Sequence, residues 1–350
     1  MRGKIMAGVA ALGLMGSLAG CSGGSEQAAN GSNEIVNNSA LAEAALSVER
    51  LDPALDAVIA PDAKIEKVAS GFAFTEGPVW YKGRLWFADL PNNRVVATTA
   101  DGKTETVIEQ SGGAPTPSTS GFKGSNGMVV DKDGTLLITQ HAARQIARVD
   151  DQMKITTFLD KFEGKRLNSP NDLVYAPDGA LWFTDPSYGL AKQNDDPAKE
   201  IKFNGVYRYK DGKLTAAIKD LTMPNGLGFS PDGKVLYVAN SGPAMALWRY
   251  DVAADGTVSN GKPLAEWPGS ADDVPDGLKV DSAGNIWATG PGGIRIIAPD
   301  GKVLGQIKLP EVAANLGWAD DGKTAYITAS TSIYRIPLAG RGQMPLYVKP

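Results

Sequence analysis

The sequence predicts an all-β fold, a six-bladed β-propeller, on the basis of three observations. A short motif recurs six times at a spacing of roughly 40 to 55 residues, which is typical of four-stranded propeller blades. In each copy a turn dipeptide separates two strand-like apolar runs, as expected for a β-hairpin. No segment has a sustained helical period, which disfavours α/β folds. The six copies begin at Thr75, Ser125, Pro170, Pro224, Pro275 and Ala314.

The hairpin turn follows the start of each copy at a similar distance. The run after the turn is strongly apolar, as at residues 85–88 (Leu-Trp-Phe-Ala). Further strand-like runs fill the space before the next copy, so each repeat has enough chain for four strands. The six turns are Lys82-Gly83, Asp133-Gly134, Asp178-Gly179, Asp232-Gly233, Ala283-Gly284 and Asp321-Gly322.

The first residues of the 350-residue chain are typical of an exported protein. Arg2 and Lys4 precede an apolar stretch at residues 5–18, and the run at residues 18–21 (Leu-Ala-Gly-Cys) resembles a bacterial lipobox. Cys21 is the single cysteine of the chain. We therefore expect residues 1–20 to be a lipoprotein signal peptide and Cys21 to carry the lipid. The protein is then expected to lie in the periplasm, anchored by this lipid to the outer membrane or elsewhere in the cell envelope. The alternative is an ordinary secretory leader with an incidental cysteine.

The segment between this leader and the repeats is expected to be a flexible tether and N-terminal extension, residues 21–61. It is rich in Gly, Ser, Asn and Ala up to residue 45. A short helical turn is expected within residues 46–61, and regular structure is expected to begin near Ile65. The propeller domain is then residues 62–350. The formal net charge of −4 gives no support to nucleic-acid binding, and a monomer is the default expectation.

The repeat places one polar residue per blade at one end of a central channel. The first strand of a propeller blade lines the channel, so the residue that begins it points toward the axis. We call these the ring residues: Glu76, Asn126, Asn171, Asn225, Asp276 and Asn315. The return strand of each hairpin ends at the same face, which predicts a second set around the ring: Asp89, His141, Asp185, Asn240 and Ser330.

The ring offers carboxylate and amide oxygens, the ligands that calcium and magnesium take. The carboxylates of Glu76 and Asp276 would balance a divalent charge. The ring does not suit a structural zinc site, because His141 is the only histidine and Cys21 the only cysteine. The alternative is that individual Asn-Gly, Asp-Gly and Pro-Asn dipeptides only form turns. That alternative is weaker for the set, because all six residues share one position in the repeat.

Other catalytic arrangements find little support. A Ser-His-Asp triad would have to use His141, and the only Gly-x-Ser-x-Gly pattern, at residues 20–24, coincides with the lipidation motif. No phosphate-binding glycine-rich loop or dinucleotide fingerprint stands out.

Five motifs resemble the gluconolactonase / senescence-marker-protein / luciferin-regenerating-enzyme family. They are Glu-Gly-Pro-Val-Trp at 76–80, Asn-Ser-Pro-Asn-Asp at 168–172, Phe-Thr-Asp-Pro-Ser-Tyr-Gly at 183–189, Pro-Asn-Gly-Leu at 224–227 and Pro-Asp-Gly-Leu at 275–278. The run at 290–294 followed by Pro-Asp-Gly at 299–301 is similar to bacterial exported gluconolactonases. The resemblance spans about residues 62–337.

The resemblance implies a six-bladed propeller with one divalent metal in its central channel. Carried over by motif, the metal ligands are Glu76, Asn171, Asn225 and Asp276. Calcium is the expected ion, with Mg²⁺, Zn²⁺ or Mn²⁺ as alternatives. Members of the family hydrolyse sugar lactones, and some relatives cleave organophosphates. The animal members carry an arginine where this chain has Ser169, so sugar recognition by that route is not expected here; Arg166 lies nearby.

The expected reaction is attack of water on the lactone carbonyl, with the metal as Lewis acid. Asp276 is the first candidate for general base, although a metal ligand is a weak base; His141 is the second, and its alternative is a structural hydrogen-bonding role. We expect Asn126, Asn171, Asp185 and Tyr188 to contact substrate, and residues 192–203 to form a wall over the channel mouth.

Two other functions stay open at this stage. An organophosphate or aryl-ester hydrolase would use the same polarised oxygen and positioned water. A non-catalytic propeller that binds a ligand or partner around a structural calcium would use the same fold.

Overall fold

The computed structural model describes residues 46–113, 122–268, 273–319 and 322–348. The predicted signal peptide, Cys21 and the first part of the predicted tether lie outside these residues. The fold is a six-bladed β-propeller, which confirms the predicted fold class. Six antiparallel sheets each contain four strands in simple meander order, and one of them gains a fifth strand. Neither of the two helical turns among the described residues is long and apolar enough to cross a membrane.

The strands are numbered in chain order and grouped by blade. Before the first blade come β1 (Ser47–Arg50), a 3₁₀ turn (Pro53–Ala57) and β2 (Glu66–Ser70). Blade 1 contains β3 (Thr75–Tyr81), β4 (Arg84–Asp89), β5 (Arg94–Thr98) and β6 (Thr104–Glu109). Blade 2 contains β7 (Ser125–Val130), β8 (Leu136–Gln140), β9 (Gln145–Val149) and β10 (Ile155–Leu159), followed by the small hairpin β11 (Lys161–Phe162) and β12 (Lys165–Arg166).

The next blades have the same pattern. Blade 3 contains β13 (Leu173–Tyr175), β14 (Leu181–Asp185), β15 (Gly205–Lys210) and β16 (Lys213–Ile218), with a 3₁₀ turn (Gln193–Asp195) between β14 and β15. Blade 4 contains β17 (Pro224–Phe229), β18 (Val235–Asn240), β19 (Ala246–Val252) and β20 (Val258–Glu266). Blade 5 contains β21 (Leu278–Val280), β22 (Ile286–Gly290), β23 (Gly293–Ile297) and β24 (Val303–Lys308), and blade 6 contains β25 (Ala313–Ala319), β26 (Thr324–Ala329) and β27 (Ser332–Pro337).

The N-terminal segment completes two blades. β2 pairs with β27 and supplies the outer strand of blade 6, which joins the two ends of the propeller. β1 pairs with β24 at the edge of blade 5, with Val48 opposite Ile307 and packed on the core. Among the residues that the structure describes, regular structure is already present at Ser47, so the expectation that it begins near Ile65 was wrong. The reason is that a short strand at a sheet edge needs only one partner and carries little sequence signal.

The 3₁₀ turn at Pro53–Ala57 confirms the helical turn expected between residues 46 and 61. Asp52 caps it, because its carboxylate accepts a hydrogen bond from Ala54 N at 2.9 Å, and Leu55 is fully buried beneath blade 5. The turn therefore belongs to the folded domain.

Large aromatic side chains occupy one repeated position between the blades. The middle of the second strand holds Trp86, Trp182 and Trp287 in blades 1, 3 and 5, and Tyr237 and Tyr326 in blades 4 and 6; all are 2% exposed or less. Such side chains bury 150–250 Å² each, which supplies much of the hydrophobic stabilisation that holds the blades together.

The C-terminal segment covers the far end of the central channel. Gln343 N donates to Val280 O at 3.2 Å, and Tyr347 packs edge-to-face on Tyr175 with centroids 4.7 Å apart. Between this segment and the six inner strands lies a cavity of about 250 Å³. Its lining is mainly apolar and includes Phe229, Trp318 and Met344.

Candidate active site

The ring residues converge at the other end of the channel. Five of them, Glu76, Asn126, Asn171, Asn225 and Asn315, are between 2% and 4% exposed, and Asp276 is partly exposed. Neighbouring ring residues make contact: Asn315 Nδ2 donates to Glu76 Oε2 at 2.9 Å, across the junction between blades 6 and 1. The charge of Glu76 also acts on Asp276, and Asn225 bonds Asp276, so the structure brings these four ring side chains together.

Local irregularity in the inner strands aims these side chains at the axis. The pairing register shifts directly after the start of the inner strand in four blades, between Glu76 and Val79, Ser125 and Met128, Pro224 and Leu227, and Ala313 and Asn315. In blades 3 and 5 the ring residue precedes the regular strand. A bulge re-aims a side chain and interrupts pairing. The ring residues are thereby turned out of the sheet.

Glycine after the ring residue lets adjacent blades approach each other. Gly226 N donates to Asp276 O at 3.0 Å, and Gly127 N donates to Asn171 O at 2.9 Å, each across a blade junction. A Cβ atom at Gly226 would lie 2.5 Å from Asp276 O and 2.6 Å from Leu278 N. The Asn-Gly and Asp-Gly dipeptides of the ring thus serve blade packing and do not form hairpin turns.

The carboxylates of the ring are buried close to one another. Burial raises the pKa of Glu76 to about 7, with a further contribution from the neighbouring Asp172 carboxylate. Burial likewise raises the pKa of Asp276 well above its usual range, and the charges of Glu76 and Asp172 add to the effect. Carboxylates held together in this way create a strong preference for a positive charge at the mouth of the channel.

Asn225 is oriented by a serine of its own blade. Its Nδ2 donates to Ser241 Oγ at 3.1 Å, and Ser241 Oγ donates in turn to Pro275 O, beside Asp276. Because the amide nitrogen is engaged, the amide oxygen of Asn225 is left available as an acceptor. Tyr188 joins this group: burial raises the pKa of its hydroxyl, which lies against Ser241 and Asn225. Tyr188 thus stands at the ring, where the sequence predicts a substrate contact.

His141 lies beside Asn126 in a buried position. Its Nε2 is 3.5 Å from Asn126 Nδ2, and its side chain is 1% exposed. Burial lowers the pKa of His141 to about 4, although a backbone hydrogen bond at Phe122 opposes the shift. The imidazole is therefore neutral at pH 7 and a weaker base than a solvent-exposed histidine.

His141 is one of five residues predicted to surround the ring, and the other four bind other parts of their blades. Asp89, Asp185 and Asn240 end the second strands of their blades but bind the segment that leads into the first strand. Asp89 Oδ1 accepts from Ala73 N at 3.0 Å, Asp185 Oδ2 from Asn168 N at 2.8 Å, and Asn240 Oδ1 from Met223 N at 2.9 Å. Ser330 donates to Val312 O at 3.2 Å. The prediction that these residues surround the ring was wrong.

Asp185 requires a specific correction, since the sequence predicts that it contacts substrate. Its side chain is fully buried, and the charges that act on it are those of Arg144 and Lys199, beneath the insertion at 192–203. Burial raises the pKa of Asp185 to about 7. Asp185 therefore holds the backbone of the segment at Asn168 and is too deeply buried to contact a substrate.

Arg144 and Ser169 of the propeller body hold the insertion at 192–203 and the loop that precedes it. Arg144 Nη1 donates to Ala198 O at 2.9 Å, and Arg144 Nε donates to Leu167 O at 2.8 Å. Ser169 Oγ donates to Pro186 O at 2.8 Å and accepts from Gly189 N at 2.9 Å, which fixes the loop that carries Tyr188. Ser169, which stands where the animal members of the family carry arginine, thus holds this loop in place. Arg166 is exposed and donates a hydrogen bond to Ala143 O.

Two charged residues of the site are absent from the sequence-based prediction. Asp172 is 4% exposed and stands where four other copies of the repeat carry glycine after the ring residue. Lys279 Nζ lies 3.5 Å from Asp172 Oδ2 and donates to Asn315 Oδ1 at 3.1 Å. Two signals were available: a carboxylate that breaks the glycine pattern, and a lysine between two apolar residues of an inner strand.

The donor chemistry of the ring suits a hard cation. In the described part of the chain, no three His, Cys, Asp or Glu side chains cluster closely enough to hold a metal by themselves. The ring instead combines two carboxylates with four amide side chains. Amide and carboxylate oxygens are ligands that calcium accepts, so the residues present fit the ion expected from the sequence.

A family model described as SMP-30/Gluconolactonase/LRE-like region matches residues 74–331. That match includes the strands from β3 to β26. The chain belongs to this family. The match therefore confirms the resemblance inferred from the five motifs.

Individual relatives agree with this assignment. The chain is 36% identical over 303 residues to a gluconolactonase of Zymomonas mobilis, covering 83% of this chain and 85% of the relative. It is 28% identical over 210 residues to a diisopropyl-fluorophosphatase of Loligo vulgaris, covering 57% of this chain and 61% of that protein. A solved gluconolactonase structure from Xanthomonas campestris superposes with a TM-score of 0.73 at 29% identity, covering 83% of this chain and 94% of the other.

Proposed function

We propose that this protein is a hydrolase that opens sugar lactones at the ring. The observation that carries the proposal is the convergence of Glu76, Asp276 and the ring amides at one end of the channel. The relatives named gluconolactonase support the same reaction. A scaffold that only binds a partner has no need for carboxylates whose pKa values are raised by burial and by neighbouring negative charge.

The residues that would hold a divalent cation are Glu76, Asn171, Asn225 and Asp276, with calcium as the first choice. Such a cation would supply Lewis-acid polarisation of the lactone carbonyl and stabilise the developing oxyanion. Water adds to the carbonyl carbon of the lactone, and the ester C–O bond of the lactone breaks. The released alkoxide takes up a proton, so the product is the open hydroxy acid.

Asp276 is the first candidate to accept the proton of the attacking water. It keeps partial exposure, so water reaches it, and its carboxylate accepts a hydrogen bond from Asn225. His141 is the second candidate, and the low pKa that burial gives it makes it the weaker one. Asn126 and Tyr188 are our candidates for orienting the substrate. The support is their position at the ring, where Asn126 lies beside His141 and Tyr188 lies against Asn225.

The experiment is a hydrolysis assay on a panel of sugar lactones with added calcium, magnesium, zinc or manganese. Glu76→Ala and Asp276→Ala should each lose calcium binding and reduce kcat/KM by at least about 10²-fold. Glu311→Ala is the control, because Glu311 is a partly buried carboxylate that accepts hydrogen bonds from Thr331 N and from the Tyr334 hydroxyl in blade 6. Full activity in either ring variant after metal depletion would contradict the proposal.

A second substrate class is supported by one specific observation, the relative named diisopropyl-fluorophosphatase. A phosphotriester also presents a polarisable oxygen and an electrophilic centre to water. Adding a phosphotriester and an aryl ester to the panel separates the classes. Turnover of the phosphotriester with no lactone turnover would favour this alternative, and failure on every substrate would favour a ligand-binding propeller.

We also propose that the protein works as a monomer in the periplasm, held at the outer membrane through a lipid on Cys21. The support is the lipobox-like run at residues 18–21 and the Gly- and Ser-rich segment that follows it. Mass spectrometry of the N-terminal peptide should find a lipid-modified cysteine. Cys21→Ser should move the protein from the membrane fraction to the soluble fraction, and an unchanged membrane fraction would contradict the anchor.

A further inference from the structure

Lys279 occupies an unusual place for a lysine, inside the central channel. It lies on β21 between Leu278 and Val280, which are both packed in the core of blade 5. Since side chains alternate along a strand, Lys279 faces away from that core and into the channel. Its side chain is 22% exposed. Lys279 is one of the residues that line the cavity at the far end of the channel, and its ammonium contacts Asn315 of the ring.

The ammonium of Lys279 contacts three blades at once. It lies 3.5 Å from Asp172 Oδ2 of blade 3, donates to Asn315 Oδ1 of blade 6 at 3.1 Å, and donates to Leu278 O of its own blade at 3.0 Å. Asp172 is nearly buried, so an ion pair there is far less screened than on the surface. Removing one partner of such a pair leaves a costly unpaired charge.

The contact with Asn315 determines which way its amide faces. The Oδ1 atom of Asn315 accepts from Lys279 Nζ and from Leu316 N at 2.9 Å, so both sites of this oxygen are filled by donors. The Nδ2 atom is consequently turned toward Glu76 Oε2, which it reaches at 2.9 Å. If the amide turned over, its oxygen would face the Glu76 carboxylate and repel it.

We propose that Lys279 is a positioning residue of the active site, which acts through Asn315 to fix the carboxylate of Glu76 and at the same time balances the charge of Asp172. The inference rests on the proposed function, because it assigns Glu76 to the working site. It also explains why Asn315 presents its nitrogen, and not its oxygen, to Glu76. Asn315 thereby serves Glu76 and is unsuited to be a cation ligand itself.

A simpler role for Lys279 would be neutralisation of Asp172 alone, and a double variant separates the two. Lys279→Met keeps the stem and removes the charge, which leaves Asp172 buried and unpaired. Asp172→Asn/Lys279→Met removes both charges, so the unpaired carboxylate is gone while Asn315 still lacks its charged donor. Lys279→Arg keeps a charged donor at the same position, and Lys234→Met is the control for loss of an exposed lysine.

The variants are compared by thermal unfolding, by calorimetric titration with calcium alone, and by kcat and KM on the lactone that the wild type turns over best. We expect Lys279→Met to lower the melting temperature and to weaken calcium binding and kcat by at least about tenfold. The double variant should regain the melting temperature but stay at least about fivefold below Asp172→Asn in calcium affinity and kcat. Lys279→Arg should recover part of both.

A double variant that equals Asp172→Asn in both calcium affinity and kcat would overturn the proposal. The crystal structure of the double variant gives a readout that needs neither metal nor substrate. We expect the Asn315 amide to turn away from Glu76 there, and an unchanged contact between Asn315 Nδ2 and Glu76 Oε2 would also overturn it. If the wild type hydrolyses no lactone, the proposed function fails, while the titration and this structure still decide the role of Lys279.

Discussion

The two ends of the central channel are built by the same six inner strands but differ in chemistry. At the mouth, each blade contributes one polar side chain; the charge of Asp172 helps to raise the pKa of Glu76, and the charges of Glu76 and Asp172 help to raise the pKa of Asp276. At the far end, the strands contribute apolar side chains such as Phe229 and Trp318, and the C-terminal segment packs over them. The mouth therefore concentrates charged and polar side chains, whereas the far end buries apolar ones.

This difference shows that the repeat separates function from stability along a single strand. Crowded carboxylates are unfavourable for folding, since burial and like charge both oppose their ionisation. The apolar end and the aromatic layer between the blades offset this cost. Substitutions at the far end should therefore change stability and spare turnover, while substitutions at the mouth should do the reverse.

The largest expected effect is on stability, from Trp318→Ala at the far end. Trp318 is 3% exposed, packs edge-to-face on Trp287 at 5.3 Å, and lies against Gly342 of the C-terminal segment. We expect a loss of about 3–5 kcal/mol in the free energy of unfolding, because the cavity can collapse only partly. Urea unfolding measures this, and kcat of the folded protein should stay within about twofold of wild type.

Trp248→Ala is the control for this prediction, since Trp248 lies on an outer strand and is only partly buried. The loss in the free energy of unfolding should be clearly smaller for Trp248→Ala than for Trp318→Ala. A fall in kcat that accompanies the stability loss in Trp318→Ala would show that the two ends are not separable.

A smaller effect, this time on turnover, is expected from Gly226→Ala at the mouth. The added methyl group would meet backbone atoms of Asp276 and Leu278 and push blades 4 and 5 apart at the ring. We expect kcat/KM to fall by about 10- to 100-fold, because displacement of about 1 Å at a reacting group is costly. Steady-state kinetics on the best lactone measures it.

Gly228→Ala provides the matched control on the same strand. Its methyl group would meet only the side chains of Leu278, at 2.9 Å, and Val280, at 3.3 Å, which can shift. Equal losses in the two variants would argue against the ring as the site of reaction.

The smallest effect is expected from His141→Gln. Because burial lowers the pKa of His141 to about 4, we assign it a supporting contact to Asn126 and expect kcat to fall by less than about tenfold. A loss of 10²-fold or more would make His141 the general base.

The same variant should change how stability depends on pH. The folded pKa of His141 lies below the unfolded value of 6.5, so the unfolded chain binds an extra proton between pH 6.5 and 4. The wild type should therefore lose stability relative to His141→Gln as the pH falls through that window, by about 1.4 kcal/mol per pH unit. Chemical denaturation at pH 4, 5, 6 and 7 measures the difference, and a constant difference would contradict the low pKa.

The sequence was sufficient to predict the six blades and the ring, because Glu76, Asn126 and their counterparts recur at one position of a repeat. The prediction for Asp89 and Asp185 of the second set failed because side chains alternate between the two faces of a strand. Asp89 and Asp185 end their strands, whereas His141 lies one residue beyond the end of β8, and a shift of one residue moves a side chain to the opposite face. The prediction treated them as equivalent.

The interactions between blades could not be predicted from the sequence. Lys279 meets Asp172 and Asn315 across the channel, at separations in the chain of more than 30 residues, and no local pattern specifies such pairs. β1 was missed because four residues at an edge have too few partners to show a pattern. Local propensity thus defines the strands, while packing between blades decides which polar side chains meet.

The most direct test of the ring as the working site is X-ray diffraction from crystals grown with manganese, with the anomalous signal of the metal recorded at its absorption edge. The account predicts a single strong peak at the mouth of the channel, within bonding distance of Glu76, Asn171, Asn225 and Asp276, and the loss of that peak in Glu76→Ala. A peak elsewhere in the propeller, or no peak at the mouth at saturating metal, would contradict it.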